Sequence, residues 1–177
     1  MQEIEIKFKI ENVEHVKEKL RSAGCQLSEE LHQKDTVFVS DLSDTKSDEG
    51  KIFTRIRSVN GVNELNLKKQ SKDLINSKEI EFEVSDYDKV YDFLNTLGLK
   101  KWVTVEKIRV TGVYQGFNIC IDNVKYLGNF IEIEMVTEDE NIKLYEEKIL
   151  EIALELGIDI NHRVNSHYDT MLNELNH

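Results

Sequence analysis

The feature that most constrains this chain is a strict two-residue alternation of charged and apolar side chains. In residues 1–10, Glu3, Glu5 and Lys7 alternate with Ile4, Ile6 and Phe8. Successive side chains on a strand point to opposite faces, so the charges form one row and the apolar residues another. Alone, such a strand reads as a half-solvated member of an antiparallel sheet. The pattern returns, however, along the chain. Glu79, Glu81 and Glu83 alternate with Ile80, Phe82 and Val84, and Glu132 and Glu134 alternate with Ile131 and Ile133.

Between these stretches the sequence predicts further elements. Asn12 caps a helix with Val13, Val16 and Leu20 on one face, and Gly24 stops it. Residues 25–32 and 35–40 read as a strand with a break. Strands are expected at 51–59 and 62–69, joined by a turn at Asn60-Gly61. After the strand at 78–84, Asp86 caps a second helix with Val90, Phe93, Leu94 and Leu97 inward. Residues 100–114 supply one or two strands, and Gln115-Gly116 turns into 117–123. A strand at 129–136 precedes a helix at about 138–156, with Leu144, Ile149, Ile152, Ala153 and Leu156 on its apolar side. A last helix is expected at about 165–175. Residues 41–50 and 70–78 read as mobile loops, and no linker divides the chain, so one domain over 1–177 is expected.

Composition narrows the partners. A net charge of −11 argues against general nucleic-acid binding. Nothing resembles a membrane-length apolar run or a signal peptide. Two cysteines, Cys25 and Cys120, make a disulfide framework unexpected and a cytoplasmic location the default. Both cysteines read as small buried side chains, and Trp102 as core. The five histidines lack zinc-type spacing with cysteine.

The eight or so antiparallel strands give each helix an apolar face to cover. Their charged faces remain unaccounted for. In an open sheet they would be wet; in a closed one they would line an interior, and closure would remove the edges. Alternation leaves both open. The rows hold acids in two-apart pairs (Glu3/Glu5, Glu79/Glu81, Glu132/Glu134) and bases likewise (Arg55/Arg57, Lys107/Arg109), with Lys7 and Lys68. Facing inward, the bases suit a highly charged phosphate anion. The acids beside them suit a hard divalent cation such as Mg²⁺ or Mn²⁺. No Gly-rich phosphate loop is present.

In order along the chain, these residues resemble the CYTH superfamily of class IV adenylate cyclases and thiamine triphosphatases. Glu3-Ile-Glu5-Ile-Lys7 resembles its ExExK signature, and Lys34-Asp35-Thr-Val-Phe38 its short Asp-containing strand. Thr54-Arg55-Ile-Arg57 is similar to its paired-arginine strand, Leu67-Lys68 to its lysine strand and Glu79-Ile-Glu81 to its acidic strand. Glu106-Lys107-Ile-Arg109, Ile121-Asp122 with Leu127-Gly128-Asn-Phe130-Ile-Glu132-Ile-Glu134, and Ser166-His-Tyr168 through Leu172 complete the set. The chain departs from the pattern at Val37, where an aromatic is frequent, and at Val39, where an acid often stands.

The resemblance implies an α+β fold: a closed antiparallel eight-stranded β-tunnel with helices packed outside, binding a triphosphate and Mg²⁺ or Mn²⁺. It would place Glu3, Glu5, Asp122 and Glu132 at the metal, with Asp122 and Glu134 supporting that shell. Lys7, Arg55, Arg57, Lys68, Lys107 and Arg109 would bind the triphosphate, and Lys107, Arg109 and Glu134 would serve catalysis. Glu79 and Glu81 could hold a second metal. The run from Thr104 to Glu132 is most similar to the class IV cyclase branch, which converts ATP to cyclic AMP and pyrophosphate. The other expectations are a triphosphatase acting on tripolyphosphate, thiamine triphosphate or a nucleotide, and a non-catalytic polyphosphate-binding module. A plain β protein with solvated charges is the remaining alternative. The expected partner is a small-molecule triphosphate (ATP or tripolyphosphate), with no nucleic acid or membrane and with a homodimer left open.

Overall fold

The computed structural model describes residues 2–40, 52–69, 78–139 and 141–175. The elements run β1 Gln2–Lys9, α1 Val13–Ser22, β2 Leu31–Val39, β3 Ile52–Val59, β4 Val62–Lys69, β5 Lys78–Val84 and α2 Tyr87–Thr96. They continue with β6 Lys100–Tyr114, β7 Phe117–Val124, β8 Gly128–Thr137, α3 Ile142–Glu155, β9 Arg163–Val164 and α4 Tyr168–Leu175. The fold is α+β, with a large antiparallel sheet and four helices among the described residues. None of these helices is long and apolar enough to cross a membrane. The loops expected at 41–50 and 70–78 lie outside the described residues, apart from Lys78, which opens β5.

The strands are hydrogen-bonded in the order β5-β4-β3-β2-β6-β7-β8-β1-β9. This corrects the expected closed eight-stranded tunnel: among the described residues the sheet is open and has nine strands. The physical reason lies at β1. Its second edge is taken by the two-residue β9, with Lys7 opposite Val164 and Phe8 opposite Arg163, rather than by another long strand.

Two compact units make up the chain. The first comprises Met1–Leu31 and Ile108–His167. Here β1 pairs with β8 and β8 with β7, in a register that sets Ile6 opposite Ile133 and Ile133 opposite Ile119. Their apolar faces, Ile4, Ile6, Phe8, Ile119, Ile121, Ile131 and Ile133, form one core with Val16 and Leu20 of α1 and Ile149, Ile152 and Ala153 of α3. Asn12 caps α1 through its Oδ1, which accepts from the His15 amide at 3.0 Å. Leu144, expected on the apolar side of α3, is exposed instead, because the helix starts at Ile142 and Leu144 lies in its first turn.

The segment expected as a strand at 25–32 is mostly irregular, and β2 begins only at Leu31. The irregular segment bonds to β6 through Ser28. The Ser28 amide donates to the Thr111 carbonyl at 2.8 Å, and the Ser28 hydroxyl accepts from the Thr111 amide at 2.9 Å. A side chain therefore takes the place of the ladder carbonyl, and pairing does not propagate. A Cβ on Gly112 would stand 2.8 Å from Cys25 Sγ and 3.0 Å from the Gln26 carbonyl, so the crossing requires glycine.

The second unit comprises His32–Lys107 and Tyr168–His177. The β3–β4 hairpin turns at Asn60 and Gly61, both with positive φ (48° and 88°), the geometry that matches the right-handed twist of the strands. Phe38, Ile56 and Leu94 are the buried centre of a core completed by Leu65, Tyr87, Val90, Tyr91 and Leu99. Asp86 caps α2 as expected, accepting from the Lys89 amide. Phe93 and Leu97, expected inward, are exposed at 58% and 63%. With Leu94 and Val90 pointing to the sheet, Phe93 falls a full 100° from Leu94 around the helix, and the apolar stripe is narrower than the sequence suggests.

Candidate metal and triphosphate residues

In the first unit the charged rows of β1, β8 and β7 are brought into register. Glu5 stands opposite Glu134 and Lys7 opposite Glu132. On the other side of β8, Glu134 faces Asn118, Glu132 faces Cys120 and Phe130 faces Asp122. Alternation thus places Glu3, Glu5, Lys7, Glu132, Glu134, Cys120 and Asp122 on one face, away from the isoleucine core.

The cations on that face are tied to its acids. Arg109 holds Asp122 in a fork, Nε to Oδ1 at 2.6 Å and Nη2 to Oδ2 at 2.5 Å. Nη2 also reaches Glu132 Oε2. The other Glu132 oxygen lies 3.2 Å from Lys7 Nζ, which also donates to the Ser166 carbonyl at 3.3 Å. Burial opposes the Arg109 charge, but the hydrogen bonds and charge of Asp122 outweigh it and push the guanidinium pKa up. Asp122 is fully buried. The expected metal ligand is therefore, in this arrangement, the carboxylate that orients Arg109.

The remaining acids crowd one another. Burial, followed by the nearby Glu132 charge, pushes Glu5 up to about 7, with Lys7 pulling the other way. Burial and then Glu3 raise Glu134, against a 3.3 Å hydrogen bond from Asn118. Three hard carboxylates, Glu3, Glu5 and Glu134, whose repulsion a divalent cation would relieve, are the chemistry such an ion takes. Among the described residues no three His, Cys, Asp or Glu side chains form a ready-made metal cage. The donor set fits a cation by its chemistry, with Glu132 and Asp122 engaged by bases.

Cys120 belongs to the same face, between Asn118 and Asp122. Burial pushes its thiol up to about 12, with Arg109 opposing and Glu134, Asp122 and Glu132 adding to the rise. The sequence marks it as buried, which it is, and its alternation with Ile119 and Ile121 was the signal that it faces the acids.

In the second unit, β2, β3 and β4 set Asp35 opposite Arg57 and Arg57 opposite Glu64. Arg57 forks onto Asp35, Nε to Oδ1 at 2.8 Å and Nη2 to Oδ2 at 2.9 Å. Arg55 Nη1 lies 3.7 Å from the same Oδ2, which also accepts from Gln33 Nε2 at 3.0 Å. Burial alone would raise the Asp35 pKa; the Arg57 hydrogen bonds and charge, then Arg55 and Gln33, overcome it and hold the carboxyl below its usual range. Sequence reasoning gave Asp35 and Gln33 no role.

Lys107 is buried, with Nζ 5.0 Å from the centroid of the Tyr168 ring, a cation–π distance. Lys68 and Glu79 occupy facing register positions on β4 and β5. Glu81 is exposed and accepts a long 3.5 Å contact from Asn66.

The CYTH domain family model matches residues 1–167. A protein of Methanocaldococcus jannaschii named as a "putative adenylate cyclase" is 31% identical over 159 residues, spanning 88% of this chain and 87% of its own. Adenylate cyclase CyaB of Aeromonas hydrophila is 23% identical over 158 residues, covering 88% of this chain and 81% of that one. Among solved structures, the PH1819 protein of Pyrococcus horikoshii is 30% identical with a TM-score of 0.76, covering 98% of this chain and 99% of the other. With the ExExK strand and its partner acids in register, the match over 1–167 shows that this chain belongs to the CYTH domain family.

Proposed function

We propose that residues 1–177 act as one CYTH domain, an enzyme that uses a divalent cation, Mg²⁺ or Mn²⁺, to act on a triphosphate. The more specific reading is a class IV-type adenylate cyclase, in which the ribose 3′-hydroxyl of ATP attacks the α-phosphorus and pyrophosphate leaves. The observation that carries the proposal is the paired charged row of the first unit: crowded Glu3, Glu5 and Glu134 next to Lys7 and Arg109 on Glu132. Names of the relatives support the cyclase reading.

In this reading Glu3, Glu5, Glu132 and Glu134 hold the cation, which when bound supplies Lewis-acid stabilisation of phosphate charge. Lys7 and Arg109 donate to phosphate oxygens, and Asp122 keeps the Arg109 fork oriented. Arg55, Arg57, Lys68 and Lys107 of the second unit are the further candidate phosphate-binding cations. Such fixed donors stabilise charge as it shifts to the leaving phosphates, so positioning and electrostatics carry the rate. Glu79 and Glu81 are held in reserve for a second cation.

The test is incubation of the protein with Mg²⁺ or Mn²⁺ and either ATP or tripolyphosphate. Cyclic AMP with stoichiometric pyrophosphate supports the cyclase. Orthophosphate release without cyclic AMP replaces it with a triphosphatase. Binding without turnover of either compound leaves a polyphosphate-binding module, and absence of binding removes the proposal.

A further inference from the structure

We infer that Trp102, Phe53 and Thr104 form a base-recognition subsite in the second unit, and that this subsite selects a nucleoside triphosphate over inorganic tripolyphosphate. The inference rests on the triphosphate reading above and deepens it by assigning the residues that meet the base.

Phe53 opens the row that Arg55 and Arg57 continue on β3, and it stands opposite Lys68 of β4. Its ring lies 6.1 Å from that of Trp102 on β6, centroid to centroid, with the planes tilted by 38°. β2 runs between β3 and β6 in the sheet. Rings that meet across an intervening strand stand on the same face of it, so Trp102 shares the face of Phe53 and the arginines. Small side chains on β2 let them meet: Val37, opposite Arg55, and Val39, two residues on. A bulky ring at either position would stand between them. Trp102, expected as core, is only half-buried. Its indole N–H is nevertheless shut off from water and has no hydrogen-bond partner among the described residues. The same holds for the hydroxyl of Thr104, two residues along β6 and therefore on the same face.

A buried polar group without a partner loses its hydration and gains nothing in return. Two of them beside an aromatic pair suit a flat heteroaromatic ring. Its π-face stacks on the rings of Phe53 and Trp102. A ring nitrogen accepts from the indole N–H, and an exocyclic amine donates to the Thr104 hydroxyl. Adenine carries both groups on one edge. A bare polyphosphate offers acceptors but no apolar face, and the negative faces of two rings repel its charge. Phe53 and Arg55 are two strand residues apart, about 7 Å. Base and phosphates of one molecule can therefore lie along the same row.

The experiment titrates the protein in Mg²⁺ with α,β-methylene-ATP, which cannot release pyrophosphate, and separately with tripolyphosphate. Trp102 is the one tryptophan of the chain, so its emission, excited beyond the absorption of adenine, reports on the subsite directly. The nucleotide should shift and quench that emission, and tripolyphosphate should leave it unchanged. Calorimetric affinities for the two ligands are then compared in wild type, Trp102→Leu and Thr104→Val. Loss of the stacking ring should lower the affinity for the nucleotide relative to tripolyphosphate about 10-fold, and loss of the hydroxyl about 3-fold. A merely structural role would weaken both ligands alike and leave their ratio unmoved. An unmoved ratio in Trp102→Leu, or wild-type emission that ignores the nucleotide as it binds, overturns the inference while the triphosphate reading stands. Should Trp102→Leu not fold, an unmoved ratio in Thr104→Val overturns it equally. Failure of the wild type to bind either ligand removes both readings together.

Discussion

Replacing Asp122 by Asn breaks the buried Arg109–Asp122 pair of the first unit. The side chain is fully buried, and its two oxygens receive Arg109 at 2.6 and 2.5 Å. Asparagine keeps the shape but presents one acceptor and one donor where the guanidinium needs two acceptors. Removing one partner of a buried pair costs about 3–5 kcal/mol, because the other charge is left uncompensated. Arg109 keeps Glu132 as a second partner and its side chain is 16% exposed, so the lower end applies, about 3 kcal/mol. For a chain of this size that is a fall in Tm of about 6–12 °C. Thermal and urea unfolding measure it, and the double variant Arg109→Met/Asp122→Leu supplies the control. An apolar pair of similar volume should recover part of the loss, the shortfall being the Glu132 contact that Arg109 also makes. A cost below about 1 kcal/mol for Asp122→Asn would show that the pair behaves as a solvated one and would refute the reasoning.

Four further outcomes follow from the same structure. Asp35 has a folded-state pKa below its ordinary 3.8, so its contribution to stability is full above 3.8 and lost as pH falls through the lower folded value. The stability gap between wild type and Asp35→Asn should therefore shrink only below pH 3.8, and a gap constant from pH 7 to acid would contradict it. Cys120, pushed up to about 12, should resist iodoacetamide at pH 8 in the folded protein and react on unfolding; rapid native labelling at Cys120 would be the contrary result. Leu94→Ala should cost about 2–4 kcal/mol and Phe93→Ala under about 1 kcal/mol in chemical denaturation, although the two are sequence neighbours with similar hydrophobicity. Glu5→Gln should abolish most cation-dependent turnover while far-UV circular dichroism is unchanged, and full activity would remove Glu5 from the metal set.

Local physics made much of this fold legible. Asn12 and Asp86 announce helix starts because their side chains can satisfy amides that no helical carbonyl reaches. Asn60-Gly61 announces a hairpin because both residues tolerate positive φ. The helix faces were read less well. Phe93, Leu97 and Leu144 are apolar and fall near the expected stripe, yet which of them meets the sheet depends on the rotation of each helix against it. Ser28 escaped for a similar reason: its hydroxyl replaces a ladder carbonyl only because Gly112 lets the crossing chain approach.

For the candidate site, the sequence determined which residues share a face. Alternation alone puts Glu3, Glu5 and Lys7 in a row, and the ordered motifs single out Arg55, Arg57, Lys107, Arg109, Glu132 and Glu134 as candidate site charges. It did not determine which charge neutralises which. Only the register of β1 on β8 sets Lys7 against Glu132 and Glu5 against Glu134, and only tertiary packing delivers Arg109 to Asp122 and Asp35 to Arg57. The physical reason is range. The direction of a side chain is fixed by its own backbone within a residue or two, whereas a salt bridge is fixed by where a second strand places its partner.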